Sequence, residues 1–489
     1  LSRNVRRADG ADDAQAGSRG GPGTPADDHP PDLDQPATYR EVFGVAEFRA
    51  VFTASTLSWI GDYFARVAIT YLIFHDTKSV LLSAAAFAIS YLPWVAGGPV
   101  LAALAERYPY RSVMIFCDLV RMGLVALLAL PAVPLPVLLG LLFLSSLLTP
   151  PAQSARSAML PLILTGDRYV VGLSVQTTMA QAAQVSGYAA GGTFAALVSP
   201  RAALLVDSAT FAVSALLIWR GVKHRAPAMR AEHRSHLFRE TAEGFRVVFG
   251  DPVMRAVAFL VFALVGVVIV PEGLAAAWAS ELGGGEAWRA GLLMAVIPLG
   301  YVIGTLVIGR LLAPSTRLRL IKPLAVITPL SLIPALFDPP FVIVVAIGLV
   351  AGFGNAVLMP LNGLFVQVLP DAYRARAFGI MQGGMQVLHA TAVLATGALS
   401  EAFPVPVVVG AWSAIGLVLI ATAAHHWPSP RVIEAGIAHA RQLNERPAGG
   451  TTTPAPPLTQ PNTNTRRTAG RRGGDPLDDA AGSTAPVHL

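Results

Sequence analysis

Hydrophobic positions in this chain come in long blocks separated by short polar loops. Twelve blocks are near or above the roughly 20 residues a helix needs to cross about 30 Å of hydrocarbon. They cover 47–74, 80–105, 112–131, 134–155, 170–198, 202–221, 255–279, 287–311, 320–337, 341–368, 377–399 and 404–426. In a bilayer only helices and closed barrels satisfy their backbone polar groups, and runs this long and continuous predict helices. The pattern therefore predicts an all-α membrane protein with twelve transmembrane helices.

The junctions between blocks set the topology. The stretch from Gly97-Gly98-Pro99 to Ser112 reads GGPVLAALAERYPYRS, an apolar run that stops at Glu106-Arg107 and is followed by Arg111. Loops on that side also carry Arg156, Arg168, Lys223, Arg225, Arg230, Arg234, Arg317, Arg319, Arg374 and Arg376, whereas the opposite loops carry Lys78, Arg201 and Arg289. An excess of Lys and Arg marks the cytoplasmic side, so both termini are expected there. The cell (plasma or inner) membrane is the expected location, with multiple passes.

Domain organisation follows from the polar segments. Residues 1–42 and 428–489 read as cytoplasmic tails: the first is disordered, rich in Gly, Pro, Asp and Arg, and the second mostly so, with a short helix over Val432–Asn444. Residues 43–221 form one six-helix bundle and 255–427 a second. The linker 222–254 joins them. Within it, 236–250 (HLFRETAEGFRVVFG) sets Leu237, Phe238, Phe245, Val248 and Phe249 among charges, the pattern of an amphipathic helix on a membrane surface.

The two bundles echo each other. Pro151-Ala-Gln153 with Leu160-Pro161 closes the fourth span, and Pro360-Leu-Asn362 with Leu369-Pro370 closes the tenth at the same spacing. Asp167-x-Tyr169 and Asp371-x-Tyr373 then precede the fifth and eleventh. Parallel repeats of this kind are a transporter architecture, with the site between the halves near the midplane.

Composition narrows the function. The chain has 489 residues, 53% hydrophobic and 13% charged, with a mean hydropathy of +0.55. A water-soluble domain cannot hide that much apolar surface. The net charge of +6 lies mostly in short loops and forms no continuous patch, so no nucleic-acid partner is expected. The one cysteine, Cys117, excludes an intrachain disulfide. Residues 1–40 contain no apolar stretch of the signal-peptide kind. There is no HExxH pair, no Cys/His metal spacing and no nucleotide fingerprint. No cofactor, no metal and no enzymatic activity are therefore expected.

Candidate chemistry lies inside the blocks. Asp62 and Arg66 sit mid-span, four residues apart on one helix face, where they can pair. Charges at that depth are costly and mark substrate or proton sites; a static ion pair that fixes packing is the competing account. Glu272, beside Pro271 in the outer part of the seventh span, is either a second proton or cation site or an interfacial residue. Gln176, Gln181 and Gln184, then Asn355 and Asn362, then Gln382, Gln386 and His389 are polar stripes that line a wet cavity or bond between helices. The set assigned to substrate or proton binding is Asp62, Arg66, Gln181, Gln184, Glu272, Asn355 and Gln386. Glu106, Arg107, Arg111, Asp118, Arg121 and Arg156 lie toward the inner ends of spans two to four, as an inner gate or as anchors of topology. Gly187, Gly191 and Gly192 provide close helix packing or a hinge. Tyr91, Trp94, Trp59 and Trp278 are candidates to stack on a substrate.

At these residues the chain resembles the major facilitator superfamily, and in particular its enterobactin-exporter and macrolide-efflux branch. The resemblance covers about 45–427. The superfamily's signature between spans two and three has an acid and bases bounded by glycines. Here Glu106, Arg107 and Arg111 supply the charges, while Ala102, Pro109 and Ser112 depart from it. Gly61-Asp62, Asp118-x-x-Arg121, Ala155-Arg156-Ser157, Gly187-x-x-x-Gly191-Gly192, Phe245 and Arg374-x-Arg376 resemble the branch more closely. The fifth-span signature of exporters has Pro where this chain has Tyr188.

The resemblance implies a secondary active exporter of a hydrophobic or amphipathic small molecule, such as a drug, antibiotic or siderophore. It implies coupling to protons, alternating access by rocking of the halves, contact with membrane lipids, and a monomer. Uptake, lysophospholipid flipping and a transporter-like membrane sensor are the alternatives.

Overall fold

The computed structural model describes residues 37–94, 107–225, 237–283 and 286–445. Regular structure among them is helical throughout. The helices are Tyr39–Gly44 (α1), Ala46–Thr77 (α2), Val80–Ile89 (α3), Tyr110–Leu128 (α4), Leu135–Leu147 (α5), Thr149–Ile163 (α6), Asp167–Leu197 (α7), Pro200–Gly221 (α8) and Leu237–Gly250 (α9). They continue with Pro252–Gly273 (α10), Ala275–Glu281 (α11), Ala287–Leu311 (α12), Pro314–Arg319 (α13), Ile321–Leu332 (α14), Phe341–Asn355 (α15), Leu358–Val368 (α16), Arg374–Leu399 (α17), Val405–His425 (α18) and Pro430–Glu445 (α19).

Six helical stretches among the described residues are long and apolar enough to cross a membrane: Leu135–Ile163, Pro200–Gly221, Pro252–Gly273, Ala287–Leu311, Phe341–Val368 and Val405–His425. The chain is thus a multi-pass membrane protein. The predicted spans at 47–74, 112–131, 170–198 and 377–399 form helices too (α2, α4, α7 and α17), but ionisable or amide side chains interrupt their apolar surface. The ninth is α14 with a 3-10 turn, Ile333–Phe337. Of the span placed at 80–105, residues 95–105 lie outside the described residues, as do most of the two tails. The residues that are described at the tails' inner ends hold α1 and α19.

Local sequence explains where helices begin. Ser199 accepts from the Ala202 N–H (3.0 Å) with Pro200 at the first helical position. Asp251 accepts from the Val253 and Met254 N–H groups (2.8 and 2.9 Å) with Pro252 following. A side-chain oxygen satisfies an orphan donor at each start, and Pro costs nothing where no intrahelical bond is made. Lys78 ends α2 in the left-handed region (φ 56°), and Ser79 then caps α3.

Packing brings the polar helices inward. α2 crosses both α7 and α8. A Cβ on Gly191 would sit 2.7 Å from Phe64 backbone atoms, and one on Gly187 would sit 2.7 Å from the Tyr63 side chain, so the bare glycines permit the α2–α7 crossing. Gly192 faces the other way, 2.7 Å by the same measure from Gly291 of α12.

The helices before and after α9 meet through α7 on α12, α3 on α17, and α2 on α11 and α12. Close approaches between them include the region around Ser79 and Glu401. Glu401 accepts from the Ser79 hydroxyl (2.7 Å) and the Leu81 N–H (2.8 Å). Gly397 there packs against Ala84 and Leu81.

Candidate functional site

A cavity of about 610 Å³ lies among the helices, lined from both sides of the chain. It is within the range of volumes typical of small-molecule sites. All seven residues assigned above to substrate or proton binding line it: Asp62, Arg66, Gln181, Gln184, Glu272, Asn355 and Gln386. Of the aromatic candidates, Tyr91 and Trp94 line it too. Trp59 instead lies under the Arg156 guanidinium (5.4 Å), and Trp278 is buried in the apolar core.

Asp62 and Arg66 do not pair, contrary to the expectation from their spacing. Asp62 is engaged by Arg121 of α4. Arg66 donates through Nη1 to the Tyr91 hydroxyl (3.2 Å) and, at the limit, to the Tyr188 hydroxyl (3.5 Å). The rings of Tyr63, Phe87 and Tyr91 lie 5.4, 5.5 and 5.5 Å from its guanidinium carbon. Four-residue spacing only permits a contact. Here an arginine from a neighbouring helix claims the carboxylate, and a ring of aromatics and hydroxyls claims Arg66.

Glu272 has a partner after all, from a distant helix. Tyr188, wholly buried, donates its hydroxyl to Glu272 Oε2 at 3.4 Å. Glu272 is 6% exposed, so protein covers its carboxylate. Pro271 lies in α10 just before it, and the helix ends one residue later at Gly273. A polar chain Arg66–Tyr188–Glu272 thus joins α2, α7 and α10. Nearby, Tyr91 and His389 approach ring to ring (4.8 Å), and His389 shares a hydrogen bond with Gln386 (3.1 Å).

The six residues read as an inner gate differ in setting. Glu106 lies outside the described residues. Arg107 is exposed, and Arg111 donates to the Trp219 carbonyl (2.5 Å). The other three are buried rather than held at helix ends. Asp118 accepts from Ser214 (2.6 Å), Arg121 lies over the Phe211 ring (4.2 Å) while reaching Asp62, and Arg156 packs on Trp59. Helix rotation turns these side chains into the first group of helices. Arg121 consequently belongs to the cavity wall.

Asp207 was missed from the sequence. It lines the cavity at 1% exposure, beside Thr210 (3.2 Å). A lone acid inside the apolar block 202–221 was the available signal, and the cost of an intramembrane charge would have singled it out. Tyr63 and Tyr301 also line the cavity, and no pattern marked them. Among the described residues of this wall, Asn355 Oδ1 and Arg121 Nε are buried without a hydrogen-bond partner. Among the described residues no group of three or more acids, histidines or cysteines is placed to hold a metal.

Comparison with known proteins follows the fold. The profile of the Major Facilitator Superfamily matches residues 51–367. No curated protein matches the sequence. Among solved structures, the nucleoside transporter NupG superposes with a TM-score of 0.63 at 15% identity, over 78% of this chain and 99% of that one. A POT family transporter in complex with a thioalcohol-conjugated peptide gives 0.64 at 11% identity, over 79% and 96%. A bacterial homolog of the human lysosomal transporter Spinster, inward-facing and occupied, gives 0.58 at 14% identity, over 83% and 96%.

Proposed function

The chain belongs to the major facilitator superfamily, and from that premise we propose a secondary active exporter of a hydrophobic or amphipathic small molecule. Membership and fold make it a membrane transporter. In the proposed mechanism two six-helix halves, 43–221 and 255–427, rock about the cavity and expose it to each side in turn. Twelve spans with both tails in the cytoplasm carry the scheme in a cell membrane. Protons are the coupling ion, and Asp62, Asp207 and Glu272 are the carboxylates available to carry them. The enterobactin-exporter and macrolide-efflux branch remains the relationship that fits the motifs quoted above.

The observation that carries this reading is the Arg66–Tyr188–Glu272 chain across a cavity lined from both halves. Ionisable groups inside a membrane face a polar opening rather than lipid, because exposure to hydrocarbon costs several kcal/mol. The two halves touch near the ends marked by Ser79, Gly192, Gly291 and Glu401. By the charge rule that end is external. The state is therefore read as closed to the outside, with the cavity serving the cytoplasmic side.

The test is Asp62→Asn in proteoliposomes under an imposed proton gradient. Loss of proton-driven flux with retained substrate exchange is the expected result; unchanged driven flux removes Asp62 from the coupling. Accumulation of substrate by inverted vesicles distinguishes export from uptake.

A further inference from the structure

The cavity treats its two arginines differently. Arg121 is neutralised by Asp62. Arg66 forms no salt bridge among the described residues, and its bonds go to the neutral hydroxyls of Tyr91 and Tyr188 through a single nitrogen, Nη1. A guanidinium carries five N–H donors in a rigid fork. Among the described residues the Nε and Nη2 edge of Arg66 donates to no group, yet neither atom is buried and unpartnered, unlike Nε of Arg121 and of Arg156. That edge is open to the cavity that Arg66 lines. It is also the geometry that grips a carboxylate or phosphate with two parallel bonds.

The competing charges are covered or engaged. Glu272 is 6% exposed and bonded to Tyr188, and Asp207 is 1% exposed. Asp62 faces Arg121. His389 is bonded to Gln386. A cation ringed by aromatics and hydroxyls, with no counter-charge in contact, is stabilised by an incoming anion. The cavity also carries aliphatic side chains from both halves, among them Ile69, Leu128, Leu204, Val265, Ile269 and Ile297.

Resting on the transporter reading above, we propose that Arg66 is the head-group subsite and that the cargo is an amphiphile with an anionic oxyacid head, a carboxylate or phosphate monoester. The head lies on the Arg66 fork with Tyr91 and Tyr188 fixing the guanidinium plane. The apolar body lies against these aliphatic side chains.

Three probes of one shape decide it: pyrenebutyrate, neutral pyrenebutanol and cationic pyrenebutylamine. Binding to the purified full chain in nonionic detergent is read by energy transfer from tryptophan, Trp94 lying in the wall, against empty micelles as background. Pyrenebutyrate should bind about tenfold more tightly than pyrenebutanol, the scale of a charge-assisted pair. Arg66→Gln should abolish that preference and Arg66→Lys should keep part of it. Tyr91→Phe, which retains the ring, should weaken pyrenebutyrate alone, and it decides the matter if Arg66→Gln does not fold. Equal binding of all three probes, or preference for pyrenebutylamine, overturns the proposal. Pyrenebutyl phosphate run beside pyrenebutyrate separates a phosphate head from a carboxylate head. No gradient is applied, so a failed preference sinks the head-group assignment alone. Proton-driven flux that is absent while the preference persists sinks only the exporter reading.

Discussion

The two walls of the cavity are built from different chemistry. The first half contributes Asp62, Arg66, Arg121 and Asp207, with Tyr63, Tyr91 and Trp94 among them. The second contributes a single carboxylate, Glu272, and neither lysine nor arginine among the described residues; both halves add amides and aliphatic side chains, Ile69, Val125, Leu128, Leu142 and Leu204 from the first and Val265, Val268, Ile269 and Ile297 from the second. The same asymmetry shows along the helices. Four of the six stretches apolar enough to span a membrane lie after residue 251, and only two lie before it. The four windows in the second half range from 33% to 67% buried and the two in the first are 28% and 50% buried, so the most covered apolar span, Pro252–Gly273, lies in the second half. Charge in the cavity wall is thus concentrated in the first half, where a polar opening exists to stabilise it.

The comparison breaks most sharply at the Asp62–Arg121 pair. Arg121→Met leaves a carboxylate without its cation, with side-chain exposures of only 23% and 9% for the pair. Removing one partner of a buried pair typically costs about 3–5 kcal/mol. The expected outcome is a large fall in thermal stability in detergent, partly restored by adding Asp62→Asn. A small effect from the single variant would mean that the first wall is not organised by this pair.

Next in size is the seam between the halves. Gly192→Leu places a side chain where a Cβ would already lie 2.7 Å from the Gly291 backbone. Overpacking of this kind costs about 1–3 kcal/mol. Here it should fall on the closed arrangement, raising the reactivity of a cysteine placed at Ser79. A comparable cost belongs to Tyr188→Phe, which removes the hydroxyl that donates to Glu272, at about 1–3 kcal/mol. Its signature is a shift in the pH dependence of flux with little change in expression.

The smallest effect is expected at Glu401, outside the spans. The Leu81 N–H and then the Ser79 hydroxyl hold its carboxyl below the ordinary glutamate value. A carboxylate depressed on folding contributes stability above its unfolded pKa of about 4.3, and loses it as pH falls through the lower folded value. Spin-label distances across the Ser79–Glu401 contact should lengthen in that acid window. Glu401→Gln should remove the pH response. An unchanged response in Glu401→Gln would assign it to another group.

Much of this was legible in one dimension. Ser199-Pro200 and Asp251-Pro252 announce helix starts because their chemistry is local, and α8 and α10 begin there. The resemblance to the superfamily was visible in short motifs and agrees with the family match. Polarity inside apolar blocks pointed to seven residues that share one cavity. It pointed equally to Asp207, which was overlooked, while Arg121 was assigned to a gate and not to the wall it lines.

Sequence alone determined the helices and their polar interruptions, because hydrophobicity and capping act on neighbours along the chain. Which interruption meets which was decided in three dimensions. Arg121 reaches Asp62 across 59 residues, and Tyr188 reaches Glu272 across 84. Those meetings depend on how far each helix is rotated and where glycines let two backbones touch, and neither quantity is written in the spacing of residues on one helix.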